Sequence, residues 1–477
     1  MGCGAELKSS NWAFPTAVLS LYGFFANCRM AEPFLTPYLI GPYKNISEEV
    51  VTNYLYPIWT YSYLAFLFPV FLLSDFLRHK PLIVVQGLFL VSNYVLLCFA
   101  PGLLAMVFLE IHFAVVTATE VAYFSYIYNV IPHENYQRAT GYLRSAMLFG
   151  YTFGAGLGQV LVSLAGLDYF DINAITLGTS SVAFLISLWL PRPQRSMFFK
   201  GGETAALPGK TDGPDDTVSD KEEARPGRNE MERHDNAACC RGGNLPSAAH
   251  LLWRSFRESY SSRHLVYWSL WWALATAGYM QILNYIQLMW DHIAPSATSS
   301  VYNGGVEAAC SLVGAGAAFS VGYIKVNWSA WGELALGLFS AIGAGAVFLI
   351  ALTGNIWACY AGYALFKSCY MLLITITTFQ IAANLSMECY ALTFGINTFV
   401  ALSLQTVMTL IVVDGATLGL DIVTQFIIYG SYHAVISVLF LIRGTYTACA
   451  KWHTPEPPHN KQKELENSVA VIHEQAF

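Results

Sequence analysis

The chain has 477 residues, of which 55% are hydrophobic and only 12% are charged, whereas soluble domains carry about 25% charged residues. This composition excludes a protein that lies mostly in water, and the net charge of -6 is too small to indicate nucleic acid as a partner. The ten cysteines are scattered without a disulfide framework or zinc spacing, so neither a metal nor a cofactor is expected.

Apolar runs of about twenty residues, the length that crosses a bilayer as a helix, recur along the whole chain. In the first half they lie near residues 12–36, 55–74, 81–99, 104–131, 139–163 and 173–191. In the second half they lie near residues 264–289, 300–324, 332–352, 356–379, 389–413 and 421–443. The pattern predicts an all-α integral membrane protein with twelve transmembrane helices, six in each of two halves spanning 12–192 and 253–443.

The segments outside these halves are 1–11, 193–252 and 444–477. The segment 193–252 is rich in charged residues, proline and glycine, and the tail 444–477 has several prolines and a charged stretch. Such a composition predicts disorder. Basic residues cluster in the loops on one side of the predicted bundle, so both termini and the linker are expected in the cytoplasm. These residues are Arg78, Lys80, Arg138, Arg192, Arg195, Lys200, Arg254, Arg257, Arg263 and Lys325.

The glycosylation signal Asn45-Ile-Ser47 falls in the first loop on the predicted outer side, so Asn45 is expected to carry a glycan. Two six-helix halves with a long cytoplasmic linker are typical of the major facilitator superfamily, in which the halves rock about a site near the membrane midplane. The loop Asp75-Phe-Leu-Arg-His-Lys80 is consistent with that superfamily's acidic-then-basic loop, or with a simple anchor at the membrane surface.

Four glutamates lie inside predicted spans: Glu32, Glu110, Glu120 and Glu307. An ionisable residue there costs about 2.5 to 3.5 kcal/mol on insertion scales, so each needs a cavity or a partner. Basic residues at comparable depth are fewer, with Lys367 and Arg144 the main candidates. The excess of acids predicts a net negative interior suited to a cationic solute.

The fourth span carries the most informative pattern. Its polar and aromatic residues Glu110, Phe113, Thr117 and Glu120 have the spacing of one helix face, with the two carboxylates about 15 Å apart along the axis. That face either lines the solute pathway, where a carboxylate binds substrate or a coupling proton, or pairs with Arg144 on the next span.

Glu32 precedes Pro33, where a helix break would leave polar backbone near its carboxylate. An ion pair with Arg29, three residues earlier, is the alternative role for this acid.

Tyr56, Trp59 and Tyr63 of the second span share a face. They are either ordinary packing or a surface for a cation, which gains about 0.5 to 2 kcal/mol over an aromatic ring. On the seventh span, Gln281, Asn284 and Leu288 are predicted to share a face. An amide such as Asn284 can donate to and accept from a heterocyclic amine, or can make a hydrogen bond between helices.

Several segments resemble the reduced folate carrier and thiamine transporter family across nearly all of the predicted spans. These segments are Tyr22-Gly-Phe-Phe, Glu32-Pro-Phe-Leu-Thr-Pro-Tyr-Leu, Pro57-Ile-Trp-Thr-Tyr-Ser-Tyr-Leu, Thr117-Ala-Thr-Glu-Val-Ala-Tyr, Tyr136-Gln-Arg, Tyr302-Asn-Gly-Gly-Val-Glu-Ala and Gly395-Ile-Asn-Thr-Phe. The resemblance implies a major facilitator fold and facilitated vitamin uptake at the plasma membrane, by a multi-pass protein that is not an enzyme.

The resemblance also bears on the substrate. Related folate carriers, whose substrates are dianions, have arginine where this chain has Glu120 and lysine where it has Gln405, so the chain is more similar to the thiamine branch. In that branch Glu110 and Asn284 would bond the aminopyrimidine and Trp59 and Tyr56 would stack on the rings. The other acids and Phe113 would line the cavity, although Phe113 replaces a tyrosine of the thiamine-transporting relatives. Lys367 matches a basic residue of folate carriers and is here interpreted as pairing with a glutamate.

The expected partners are therefore thiamine, the lipid bilayer and a proton or organic cation as the exchanged species, with the chain acting as a monomer. Reduced folate is the alternative substrate, and pyridoxine, a weakly basic ring of similar size, is a further one. A receptor is disfavoured by the number of spans, and an intramembrane metalloprotease is disfavoured because no span carries its His-Glu-x-x-His signature.

Overall fold

The computed structural model describes residues 12–76, 79–128, 130–131, 136–191, 257, 260, 262–321, 328–382 and 387–452. Within them, twelve helical spans follow in chain order. They are α1, in two pieces (Ala13–Asn27 and Leu35–Ile40), α2 (Tyr56–Phe76), α3 (Lys80–Phe99), α4 (Leu103–Tyr128), α5 (Tyr136–Ser163), α6 (Tyr169–Leu188), α7 (Arg263–Ile293), α8 (Asn303–Val321), α9 (Trp328–Leu352), α10 (Ile356–Ala382), α11 (Met387–Met408) and α12 (Ile422–Trp452). Eight of them are long and apolar enough to cross a membrane by length and composition.

The predicted spans coincide with these helices, and the main differences lie at the ends. The helix α7 continues to Ile293 and α12 to Trp452, past the predicted ends at 289 and 443, because a helix can extend beyond the apolar run that crosses the bilayer. The N-terminal segment 1–11, the linker 193–252 and the tail after 452 lie outside the described residues, as do residues 77–78 of the acidic-then-basic loop.

The first span is interrupted near its middle. After Asn27 the chain leaves the helix, makes a 3-10 turn at Glu32–Phe34 and becomes helical again at Leu35. Two of the backbone groups freed by the break are bonded by the neighbouring helix α6, since the Ala31 N–H donates to Thr176 Oγ1 at 3.1 Å and Thr179 Oγ1 donates to the Cys28 carbonyl at 3.1 Å. Broken helices of this kind are tolerated at membrane depth only where such partners are available.

Glycines on α5 bring that helix against the break. A Cβ atom on Gly150, Gly154 or Gly158 would lie 2.3 Å from the Phe24 carbonyl oxygen, 2.9 Å from the Arg29 nitrogen or 2.6 Å from the Met30 carbonyl oxygen, respectively. The three glycines are spaced one turn apart and therefore form one face of the helix. Close contact between helices through small residues is the usual packing mode in membranes.

The two halves meet at the end of the bundle that carries the loop between α1 and α2, here called the first-loop end. A π-helical turn precedes α2 (Val51–Leu55) and another follows α11 (Thr409–Val413), and between them the Gly415 N–H donates to the Asn53 carbonyl at 3.0 Å. Nearby, Tyr61 donates to Asp414 Oδ2 at 2.7 Å. These hydrogen bonds between the halves close the first-loop end.

A charged contact also joins the halves at this end. Glu48, which precedes the first π-helical turn, lies 3.9 Å from His292 Nδ1 at the end of α7. Burial raises the pKa of the Glu48 carboxyl, while His292 acts in the opposite direction. Both side chains are at least 40% exposed, so the pair contributes little to the closure.

Candidate solute-binding site

A cavity of about 350 Å³ lies between the two halves, beside the break in α1. Its walls come from α1 to α5 on one side and from α7 and α8 on the other. All eight residues that the sequence singled out for substrate binding line it: Glu32, Tyr56, Trp59, Glu110, Phe113, Glu120, Asn284 and Glu307. The volume is that of a typical small-molecule pocket.

The acidic face predicted on α4 points into this cavity. Glu110, Phe113, Thr117 and Glu120 all line the wall. Neither carboxylate has a salt-bridge partner among the described residues, and Glu110 is only 4% exposed, with no hydrogen bond to its Oε1. The alternative pairing with Arg144 is not observed, because that side chain is exposed and does not line the cavity.

Glu32 combines both roles considered for it. Its carboxylate lines the cavity, and its Oε2 also lies 3.3 Å from Arg29 Nε in an ion pair within the break. The Arg29 guanidinium lies 5.5 Å from the centre of the Phe113 ring. Arg29 is therefore part of the cavity wall, where it neutralises one of the acids.

Both carboxylate oxygens of Glu307 have partners. Lys367 Nζ lies 2.5 Å from its Oε2, Tyr363 donates to Oε1 at 2.7 Å, and Tyr151 of the other half donates to Oε2 at 2.9 Å. The Lys367 ammonium also lies 5.5 Å from the ring centres of Tyr151 and Tyr363. The prediction that Lys367 pairs with a glutamate is confirmed.

Aromatic rings cover the part of the wall next to the unpaired acids. The rings of Trp59 and Tyr63 are 5.6 Å apart and those of Trp59 and Phe113 are 6.5 Å apart. Tyr56 hydrogen-bonds the Thr36 hydroxyl at 2.9 Å, which orients its ring. Phe113 has no hydroxyl group, so this position can offer only its ring to a solute.

On α7, the residues that line the cavity are not all those of the predicted face. Gln281 is fully buried within the second half, where it donates to Tyr429 and accepts from Thr409, and it does not line the cavity. Asn284 does line it, together with Gln287, a residue that sequence reasoning missed. The spacing of three between these two amides was the available signal.

The electrostatic character of the site follows from these pairings. Four glutamates line the cavity, and two of them, Glu32 and Glu307, form ion pairs with Arg29 and Lys367, respectively. The acids that have no salt bridge among the described residues are Glu110 and Glu120, which lie beside aromatic rings. Such a wall can bind a flat cation through charge and through cation-π contact.

Comparisons with known proteins identify the family. The sequence model of the reduced folate carrier family matches residues 10–428. Human thiamine transporter 1 is 49% identical over 96% of this chain and 95% of its own length, and human thiamine transporter 2 is 49% identical over 94% and 92%. The human reduced folate transporter is 37% identical over 96% of this chain and 76% of its own length.

Solved structures support the fold. A bacterial homologue of the human lysosomal transporter Spinster, in an inward-facing occupied conformation, superposes with a TM-score of 0.58 at 11% identity, covering 93% of this chain and 97% of that one. The POT family transporter PepTSo gives 0.57 at 12% identity, covering 91% and 97%. The predicted major facilitator fold is thereby confirmed, and the chain is a multi-pass membrane transporter that belongs to the reduced folate carrier family.

Proposed function

We propose that the chain carries thiamine across the plasma membrane by alternating access of the central cavity. The observation that carries this proposal is the pair Glu110 and Glu120, two carboxylates that have no salt bridge among the described residues and lie in a cavity walled by aromatic rings. An unpaired acid at membrane depth is costly, and a cationic solute removes that cost. The greater identity to thiamine transporters than to a folate transporter supports the same substrate.

The two ends of thiamine suit different parts of the wall. Its aminopyrimidine is a hydrogen-bonding ring, and Glu110 with the Asn284 amide, whose Nδ2 has no hydrogen-bond acceptor in the described part of the chain, offers acceptors and donors for it. Its thiazolium is a permanent cation, for which the Trp59 and Tyr56 rings and the Glu120 carboxylate are suited. Glu32 and Glu307 complete the wall while bonded to Arg29 and Lys367.

The charge balance supports a proton as the exchanged species. After a cation leaves, Glu110 and Glu120 would be ionised in a low-dielectric cavity, which opposes the return of the empty carrier. A proton on one of them lowers the charge that must be carried back. We therefore assign the exchanged proton to these two acids, of which Glu120 is the less buried.

The folate alternative is less well supported. A folate dianion needs basic side chains that are free to bind it, but Lys367 forms an ion pair with Glu307. Gln405 is neutral, fully buried and does not line the cavity. Arg29 is likewise bonded to Glu32. A dianion would meet an excess of negative charge in this cavity.

Uptake of radiolabelled thiamine into sealed proteoliposomes containing only this protein tests the proposal. We expect saturable uptake that increases when the lumen is more acidic than the medium, and that unlabelled thiamine but not reduced folate suppresses. The variants Glu110→Gln and Glu120→Gln should reduce the rate at least tenfold. Uptake no faster than in protein-free liposomes, or full activity of Glu120→Gln, would contradict the substrate or the role of that acid, respectively.

The expected orientation and assembly complete the proposal. We infer from the basic loops that both termini are in the cytoplasm, which puts the first-loop end outside the cell. A monomer suffices, because one chain supplies the walls of the cavity. Antibody access to an epitope on either terminus only after permeabilisation of intact cells would agree with this orientation, and access before it would contradict it.

A further inference from the structure

Two glutamines, one in each half, form hydrogen bonds with the backbone of the opposite half. Gln287 of α7 donates from Nε2 to the Glu32 carbonyl at 3.0 Å and accepts from the Thr36 N–H at 3.3 Å. Gln159 of α5 donates from Nε2 to the Val301 carbonyl at 2.8 Å and accepts from the Gly305 N–H at 3.1 Å. Each half therefore extends one carboxamide into the backbone of the other.

Both carboxamides bind the same kind of target. In each case the carbonyl and the N–H belong to residues four apart, the two groups that an α-helical hydrogen bond would join. Thr36 is in the first turn of the second piece of α1, and Gly305 is in the first turn of α8. First-turn N–H groups have no partner within their own helix, so each glutamine caps a helix of the opposite half.

The surrounding residues permit this close approach. A Cβ atom on Gly304 would lie 2.6 Å from the Ala155 carbonyl oxygen and 3.3 Å from Gln159 Cβ, so the Asn-Gly-Gly start of α8 leaves the space that Gln159 occupies. On the other side, Gln287 lines the cavity and binds the backbone of Glu32. One contact thus adjoins the solute site and the other closes the seam between α5 and α8.

We propose that Gln287 and Gln159 are paired positioning residues that hold the halves together at the first-loop end, and that both contacts break together when the cavity opens there. Each capping bond can be replaced by water once that end opens, so the contacts are reversible. A neutral hydrogen bond contributes a modest net free energy. This suits contacts that must break in each cycle, and the contacts of Gln287 and Gln159 are here called the latch. The latch rests on the proposed transport cycle but not on the identity of the solute.

Hydrogen–deuterium exchange on the purified full chain in lipid nanodiscs, without solute, tests the latch. Replacement by Leu removes both bonds of a glutamine, so Gln287→Leu should speed exchange in the peptide containing Thr36 and also in the peptide containing Gly305. Gln159→Leu should do the same. We expect a rise of about tenfold in both peptides, the factor that corresponds to about 1.4 kcal/mol.

The matched control is Gln425→Leu. This glutamine donates to the Leu420 carbonyl at 2.7 Å and accepts from Tyr429, all within the second half, so its loss should leave both peptides unchanged. Gln287→Met, which also removes both bonds of this glutamine in a side chain of similar length, should give the same rise and serves if the Leu variant does not fold. Faster exchange only at the peptide bonded by the replaced glutamine would show two independent caps and overturn the proposal.

Transport kinetics provide a second readout. Weakening the latch with Gln159→Leu, at a residue that does not line the cavity, raises the population open at the first-loop end, so the KM for uptake from that side should fall, while the maximal rate falls because closure is impaired. A purely structural role would lower the amount of folded protein and leave KM unchanged, which would also overturn the proposal. Because exchange is measured without solute, absence of thiamine uptake would refute the proposed function and leave the latch test intact.

Discussion

Replacing Lys367 by Met should destabilise the protein, because it leaves the buried Glu307 carboxylate without its base. The ammonium and the Glu307 carboxylate are about 5% and 6% exposed, and removal of one partner of a buried ion pair costs about 3 to 5 kcal/mol. Tyr151 and Tyr363 still donate to the carboxylate after the change, so we expect a loss near 3 kcal/mol. Replacing both partners, as in Glu307→Gln with Lys367→Met, should recover most of it, because no buried charge then remains.

Thermal unfolding of the purified variants in one detergent measures this difference. The single variant should have a clearly lower Tm than the native chain, and the double variant should be intermediate or native-like. Equal Tm values for the single variant and the native chain would refute the reasoning that the pair is buried and coupled. A double variant no better than the single one would show that the loss comes from packing and not from the uncompensated charge.

Three further changes test other parts of the structure. Trp59→Ala should raise the KM for thiamine about 2- to 30-fold, from the loss of about 0.5 to 2 kcal/mol of cation-π energy, whereas Trp59→Phe should recover part of it; equal KM values would remove this ring from the site. Gly154→Ala places a Cβ 2.9 Å from the Arg29 nitrogen and should cost about 1 to 3 kcal/mol in unfolding experiments, while Gly156→Ala, with Ala308 Cβ 3.7 Å away, should be tolerated. Asn45, which is exposed in the first loop, should carry a glycan. Asn45→Gln should therefore increase the electrophoretic mobility of the protein made in glycosylating cells, and unchanged mobility would contradict the expected glycan.

The membrane spans were predictable because hydropathy reports directly on the solvent around a helix. The interruption of α1 was predictable only as a tendency at Pro33. Its position depends on Gly150, Gly154 and Gly158 of α5, which admit the α1 backbone, and on hydroxyl groups of α6 that bond it. Those contacts join residues more than a hundred positions apart, which no local pattern contains.

The cavity residues were predictable where one helix face carried the signal. The spacing on α4 placed Glu110 and Glu120 on one side, and the structure shows that side in the cavity. On α7 the predicted face included Gln281, which instead bonds Thr409 and Tyr429. Amides on a helix surrounded by other helices can point either way, since both directions offer partners, so periodicity alone could not separate Gln281 from Gln287.

The number of acids in the spans is a weaker guide to function than their pairing. Glu32 and Glu307 carry the same charge as Glu110 and Glu120, but each is bonded to a base of its own half. What distinguishes a site for a cation is therefore the excess left after pairing, which here is two carboxylates on one helix face. Under the proposed exchange, a proton takes the place of the cation on one of these acids when the cation leaves, so we expect the transport of thiamine to respond to pH on both sides of the membrane.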